Sequence, residues 1–165
     1  MPAPRRPGPE AQRIAAIHLE EPARIRLTTT VENERKAALY DLIAENHFAP
    51  LGGYAGPYEV YLAVKGERLN FDVRDAANGK PLTEFALPLR ALRRIIKDYF
   101  LILDSYFKAI RDSSPSRIET IDMARRGLHN EGAELLKSRL TDKVEMDSDT
   151  ARRLFTLICV LQIRG

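Results

Sequence analysis

The stretch 89–112, LRALRRIIKDYFLILDSYFKAIRD, decides the fold class. Leu92, Ile95, Ile96, Tyr99, Leu103, Tyr106, Phe107 and Ile110 recur at three- and four-residue steps, the signature of an amphipathic helix. In its middle, YFLIL (99–103) is apolar on every side, which predicts cover on more than one face. A helix buried in that way is a scaffold, satisfied by a sheet on one side and further helices on another. The expectation is an α+β fold in which 89–112 is the central buried helix and the C-terminal half is helical.

Working outward, the clearest β pattern precedes this helix. Tyr58, Val60, Leu62 and Val64 alternate with polar residues across 58–65, and Leu69, Phe71 and Val73 do the same across 68–75. Turns at Gly66-Glu67 and Asn78-Gly79 separate these runs from a third at 82–87. Period-two alternation between turn residues predicts an antiparallel meander with one face packed and one wet. Further upstream, 13–20 reads as a strand, and 24–28 as a second short strand or a loop edge. Thr29 with Glu32 matches a capping box, and Val31, Ala38, Leu39, Leu42 and Ile43 form the apolar stripe of a helix ending near Asn46. The glycines and prolines of 50–57 predict a loop; a phosphate-binding loop is disfavoured, because no strand leads in and the lysine is missing.

Downstream, Ser114-Pro115 predicts a helix start. The apolar phase continues through Gly127 and Gly132 to Leu140, which allows one long helix, or a break or tight helix contact near His129-Asn130. A short edge strand is expected at 143–147, then a final helix capped by Asp147 or Ser148, with LFTLICVLQI apolar on nearly every face.

The chain has 165 residues, 44% hydrophobic and 30% charged, a composition that fits one globular α+β domain over 13–165. Residues 1–12 hold four prolines, two arginines and no apolar periodicity, so a disordered tail is expected. Cys159 is the single cysteine, so no disulfide can form within the chain and a cytoplasmic setting is expected. The apolar run 154–161 is far shorter than the roughly 18 residues that span a bilayer, so no membrane association is expected. The net charge is +3; residues 89–165 carry 15 basic and 11 acidic side chains, so the excess of +4 there outweighs the rest of the chain. Nucleic acid is a disfavoured partner, because those basic residues are interleaved with acids.

Three arginine pairs stand out: Arg93-Arg94, Arg125-Arg126 and Arg152-Arg153. Two of the pairs fall in the first turns of helices, where backbone N–H groups and guanidinium forks together favour an anion. Asp122, Arg125, Arg126 and His129 fall at i, i+3, i+4 and i+7, on one helical stripe, with Asn130 and Glu131 following. The bland alternative, ion pairs with Asp98, Asp122, Asp147 and Asp149, carries the greater weight, since such pairs are common and individually weak. His129, Glu131 and Asp122 are the acid–base candidates; the spacing matches no metal motif, and no metal or cofactor is expected.

The strings KDYFLILDSYFKAIR (97–111), PSRIETIDMARRGLHNEGAELLKSRL (115–140) and DTARRLFTLICVL (149–161), with ENHFAP (45–50) and GPY (56–58), resemble uncharacterised protein family 0262, a group of small alphaproteobacterial proteins. The resemblance covers nearly everything after the tail. It implies a bacterial cytosolic protein and supplies no reaction, cofactor or partner. Within the matching strings it points to Asp98, Arg125, Arg126, His129, Asn130, Glu131, Arg152 and Arg153 as the polar positions.

The expected function is a non-enzymatic binding or regulatory module for an anionic small molecule or a protein partner, with Arg125, Arg126, His129, Asn130, Arg152 and Arg153 around the ligand. The alternatives are a small hydrolase of a phosphorylated metabolite, using His129 and Glu131, and, more weakly, an RNA-associated accessory protein. A homo-oligomer is compatible with each.

Overall fold

The computed structural model describes residues 11–20 and 29–162. Its elements, in chain order, are β1 (Ile14–Glu20), α1 (Thr29–Ala44), β2 (Phe48–Pro50), β3 (Tyr58–Lys65), β4 (Arg68–Asp75), β5 (Pro81–Pro88), a 3-10 turn (Leu89–Ala91), α2 (Arg93–Asp112), α3 (Pro115–Arg139), β6 (Val144–Met146) and α4 (Ser148–Leu161). The strand or loop edge expected at 24–28 and the expected tail up to residue 10 lie outside the described residues, as does the side chain of Thr29 in the expected capping box. The architecture is α+β.

The main sheet runs β1-β3-β4-β5. The meander expected from alternation is present as β3, β4 and β5, each antiparallel to the next. Gly66 (φ +63°) and Gly79 (φ +73°) sit in its two turns in the left-handed region, which glycine enters without a Cβ clash. Their packed face brings Val60 opposite Val73 and Leu62 opposite Phe71, and Phe71 stacks on Phe85 with ring centroids 5.0 Å apart. β1 joins parallel to β3, which makes the sheet mixed. Parallel pairing needs a crossover, and α1 with the loop behind it supplies one. Asn46 ties that crossover down: its amide accepts from Ile14 N–H at 2.7 Å and donates to the Ile14 and Leu42 carbonyls at 2.9 and 2.7 Å.

The loop expected after Asn46 contains a strand. β2 pairs antiparallel with β6 in a separate two-stranded sheet. Three residues are too few to show a period, so β2 carries no readable pattern in the sequence. Gln12, counted with the expected tail, is part of the folded chain: its carbonyl accepts from Phe48 N–H at 2.8 Å.

The helical half corrects one expectation. α2 is not the central buried helix. Ile95, Ile96, Tyr99 and Leu103 are buried, yet Leu101 is 61% exposed and Ile110 48% exposed. α2 is therefore covered on one face, against α3 and the core, and YFLIL leaves its second apolar side to solvent. The enclosed helix is α4, in which every residue from Thr150 to Leu161 is buried except Arg152 and Arg153. α1 and α3 both pack against it. Its start is set as expected, by Asp147 accepting from Thr150 N–H at 2.8 Å. Cys159 is fully buried within it.

α3 is one continuous helix of 25 residues, with no break near His129. Its two glycines differ in role. A Cβ on Gly127 would meet nothing within 4 Å, whereas a Cβ on Gly132 would lie 2.6 Å from the Phe155 ring of α4. At Gly132 α3 lies so close to the Phe155 ring that only glycine fits without a shift. Gly132→Ala should therefore lower unfolding stability by about 1–3 kcal/mol through overpacking. Gly127→Ala should raise it by up to about 1 kcal/mol through helix propensity. Paired urea denaturation curves check both signs, and a neutral Gly132→Ala would show that the contact is loose.

Candidate functional site

A cleft of about 210 Å³ opens where α1, α3 and α4 meet. α1 contributes Glu34, Ala37, Ala38 and Asp41 at i, i+3, i+4 and i+7, which places them on one helical face. α3 contributes His129, and α4 contributes Arg152, Arg153 and Thr156. Larger grooves lie beside β6 and along α2, and neither is lined by a buried ionisable side chain.

His129 forms one wall. Thr156 Oγ1 donates to the Arg152 carbonyl at 3.2 Å and lies 3.3 Å from His129 Nε2. A hydroxyl has one hydrogen, so both contacts are satisfied together when the ring carries its proton on Nε2 and donates to Thr156. The imidazole also lies 4.9 Å from the Tyr99 ring, centroid to centroid. Burial pushes the His129 pKa down to about 4, helped by the positive charges of Arg125 and Arg152 and opposed in part by Asp122. At neutral pH this histidine is uncharged.

Arg125 sits behind the cleft as a hub. Its Nε and Nη2 donate to Asp122 Oδ1 at 3.1 and 2.8 Å, and its Nη1 lies 3.6 Å from Glu34 Oε1. The guanidinium stacks over Tyr106 at 4.8 Å. Glu34 in turn accepts from the Tyr99 hydroxyl at 3.4 Å, and burial, with the Glu34 charge adding to it, raises the Tyr99 pKa well above its usual value. Arg125 thus links α1, α2 and α3. Arg126, 72% exposed, holds the other oxygen of Asp122 at 2.8 Å from outside. Together the two arginines hold the Asp122 carboxyl below its usual range, Arg125 most strongly.

On α4 the second pair diverges. Arg152 Nη2 donates to Asp149 at 2.8 Å, while its Nε is buried with no acceptor among the described residues. Arg153 Nη1 donates to the Glu45 carbonyl at 2.8 Å, just past the end of α1, where positive charge suits the helix dipole.

The expected site residues therefore separate. His129, Arg152 and Arg153 line one cleft, with Arg125 and Asp122 just behind it. Arg126 stays on the outside. Asn130 and Glu131 are exposed and absent from the lining, so the His129–Glu131 acid–base pair does not form. Arg93 and Arg94 are exposed at the start of α2, with Arg93 3.6 Å from Glu67, and do not join. Glu34, Asp41 and Thr156 were not foreseen; the two acids lie roughly ninety residues from His129 in sequence, and only the packing of α1 on α4 reveals them. The isolated histidines have partners of their own: His18 with Glu59 at 2.6 Å and His47 with Glu145 at 3.1 Å. Among the described residues, no cluster of three or more His, Cys, Asp or Glu side chains could hold a metal ion, and no helix is long and apolar enough to cross a membrane.

Fold and cleft together define an α+β protein with a charge-lined cleft between helices. The chain belongs to uncharacterised protein family UPF0262, which it matches over residues 11–164. A family member from Paramagnetospirillum magneticum is 55% identical over 95% of this chain and 99% of its own length. Others from Rhodospirillum rubrum (51% identical, 94% of this chain and 96% of its own) and Azorhizobium caulinodans (49%, 95% and 98%) are similarly close. No solved structure matches it.

The depressed His129 pKa makes stability depend on pH. The unfolded chain binds a proton near the ordinary histidine value of 6.5, and the folded chain only near 4. Stability from keeping His129 neutral is thus fully present above about pH 6.5 and falls as pH drops toward about 4, by on the order of 2–3 kcal/mol. His129→Gln should flatten that part of the curve in urea titrations from pH 7 to 4.5. An unchanged slope would place the proton elsewhere.

Proposed function

We propose that this protein is a non-enzymatic binding module whose α1–α3–α4 cleft takes a small ligand by its anionic group. Arg152 carries this reading: its Nε is buried and has no acceptor among the described residues. A buried donor left without a partner costs roughly 1–3 kcal/mol, and a turn of the side chain toward a carboxylate or phosphate oxygen in the cleft would remove that cost. Arg153 brings a second guanidinium to the same cleft, and charge-assisted bonds from such forks are roughly twice as strong as neutral ones. Neutral His129 adds no charge to the cleft.

Hydrolysis fits less well. A general acid or base works best with a pKa near the operating pH, and His129 lies far below it. Glu131 is outside the cleft. An RNA-associated role also loses support, because Arg125, Arg126 and Arg152, part of the basic charge that suggested it, are paired with Asp122 and Asp149. The one cysteine, buried and unpaired, fits a reducing cytoplasm.

The test is a melting series with simple carboxylates, sulfate, phosphate and amino acids at matched ionic strength, repeated with Arg152→Ala and Arg153→Ala. A ligand at a hundred times its dissociation constant should stabilise the wild-type fold by about 2.7 kcal/mol. Both variants should lose most of that response. If no compound shifts the wild-type transition beyond the ionic-strength control, or both variants respond like wild type, the cleft is not a binding site.

A further inference from the structure

The charges that line the cleft differ in how well they are compensated. Glu34 faces Arg125 and the Tyr99 hydroxyl, and Arg152 faces Asp149. Asp41 has no hydrogen bond or ion pair from its carboxylate among the described residues. Arg153 has only a neutral partner, the Glu45 carbonyl. The two therefore line one cleft as uncompensated charges of opposite sign, and no ion pair joins them. Between Glu34 and Asp41 the same face of α1 carries only Ala37 and Ala38, the smallest side chains that keep a helix, so nothing bulky fills the space.

The geometry points to a zwitterionic ligand: an amino acid or other short amine-bearing acid, its carboxylate on Arg153 and Arg152 and its ammonium on Asp41. This rests on the anion reading of the cleft and narrows it. A dianion such as a phosphate monoester would meet Arg153 favourably but would also face two carboxylates, and like charges at close range repel. A ligand carrying both signs satisfies each uncompensated group and leaves the cleft neutral overall. Neutral His129 suits such a ligand, because an imidazolium beside the same arginines would oppose the ammonium. Binding here involves no covalent step.

Matched pairs separate the ammonium from the rest of the ligand: glycine with acetate, β-alanine with propionate, and 4-aminobutyrate with butyrate. Binding of each is measured on the full chain by chemical-shift titration at neutral pH. At least one amine-bearing member should bind roughly fivefold or more tightly than its amine-free partner, the scale of a partly exposed ion pair. Asp41→Asn should bring that ratio close to one, with the amine-free acid bound no more weakly than before, since a repelling carboxylate is gone. Asp41 is exposed, so the variant should melt with the wild type. Equal binding within every pair, or a ratio that Asp41→Asn leaves intact, overturns the zwitterion and leaves a simple anion site. Failure of all six compounds to perturb the cleft overturns both.

Discussion

Everything in the helical half depends on the burial of α4. Ten apolar or small residues of this helix are out of solvent, and α1 and α3 close over it from different sides. One tight point is the contact of Gly132 with the Phe155 ring, where glycine alone lets the two helices come so near. Phe155 also meets Tyr99 edge-on at 5.8 Å, so α2 is held by the same side chain. His129 and Thr156 face each other across this packed seam, 3.3 Å apart. What escapes enclosure in α4 is its N-terminal end, where Ser148 and Asp149 are exposed and the turn carrying Arg152 and Arg153 is half-buried.

That turn explains the cleft's electrostatics. Two guanidinium groups enter partly desolvated surroundings, where an uncompensated charge is costly. The fold meets the cost in different ways: Asp149 for Arg152, a carbonyl beside the end of α1 for Arg153, and Asp122 with Glu34 for Arg125. The histidine between them responds by staying neutral. What is left over among the described residues is small and specific, namely a buried Nε–H, a guanidinium with a neutral partner and a carboxylate with none. A recognition site differs from a structural ion-pair network in leaving such groups unsatisfied, and the proposed binding role rests on that difference.

Much of the fold is legible in the sequence because local signals decide it. Alternation between turn residues fixes β3 to β5, and the Ser114-Pro115 and Asp147 caps fix two helix starts. The depth of each helix is not a local property. YFLIL in α2 and LFTLICVL in α4 are both apolar all round, yet Leu101 faces solvent while the matching positions of α4 are enclosed. Only the number of elements stacked on each helix distinguishes them. The same limit applies to the site. The helical stripe of Asp122, Arg125 and His129 is visible by spacing, as is the Arg152-Arg153 pair. Their convergence, and the acids of α1 that oppose them, follow from tertiary packing that no spacing records. Glu131 misled for the reverse reason: it is adjacent in sequence and points to another face.

The most direct test of a binding cleft at this place is a map of where a ligand lands on the intact protein. Backbone and imidazole resonances of the full chain are followed while an amino acid or simple carboxylate is titrated at constant ionic strength. The account predicts saturable shifts centred on Arg152, Arg153 and Thr156 and on the ring of His129, with the faces of α2 and the sheet unmoved. Shifts that map instead to the exposed side of α2 or the groove beside β6, or that grow linearly without saturating, would contradict it.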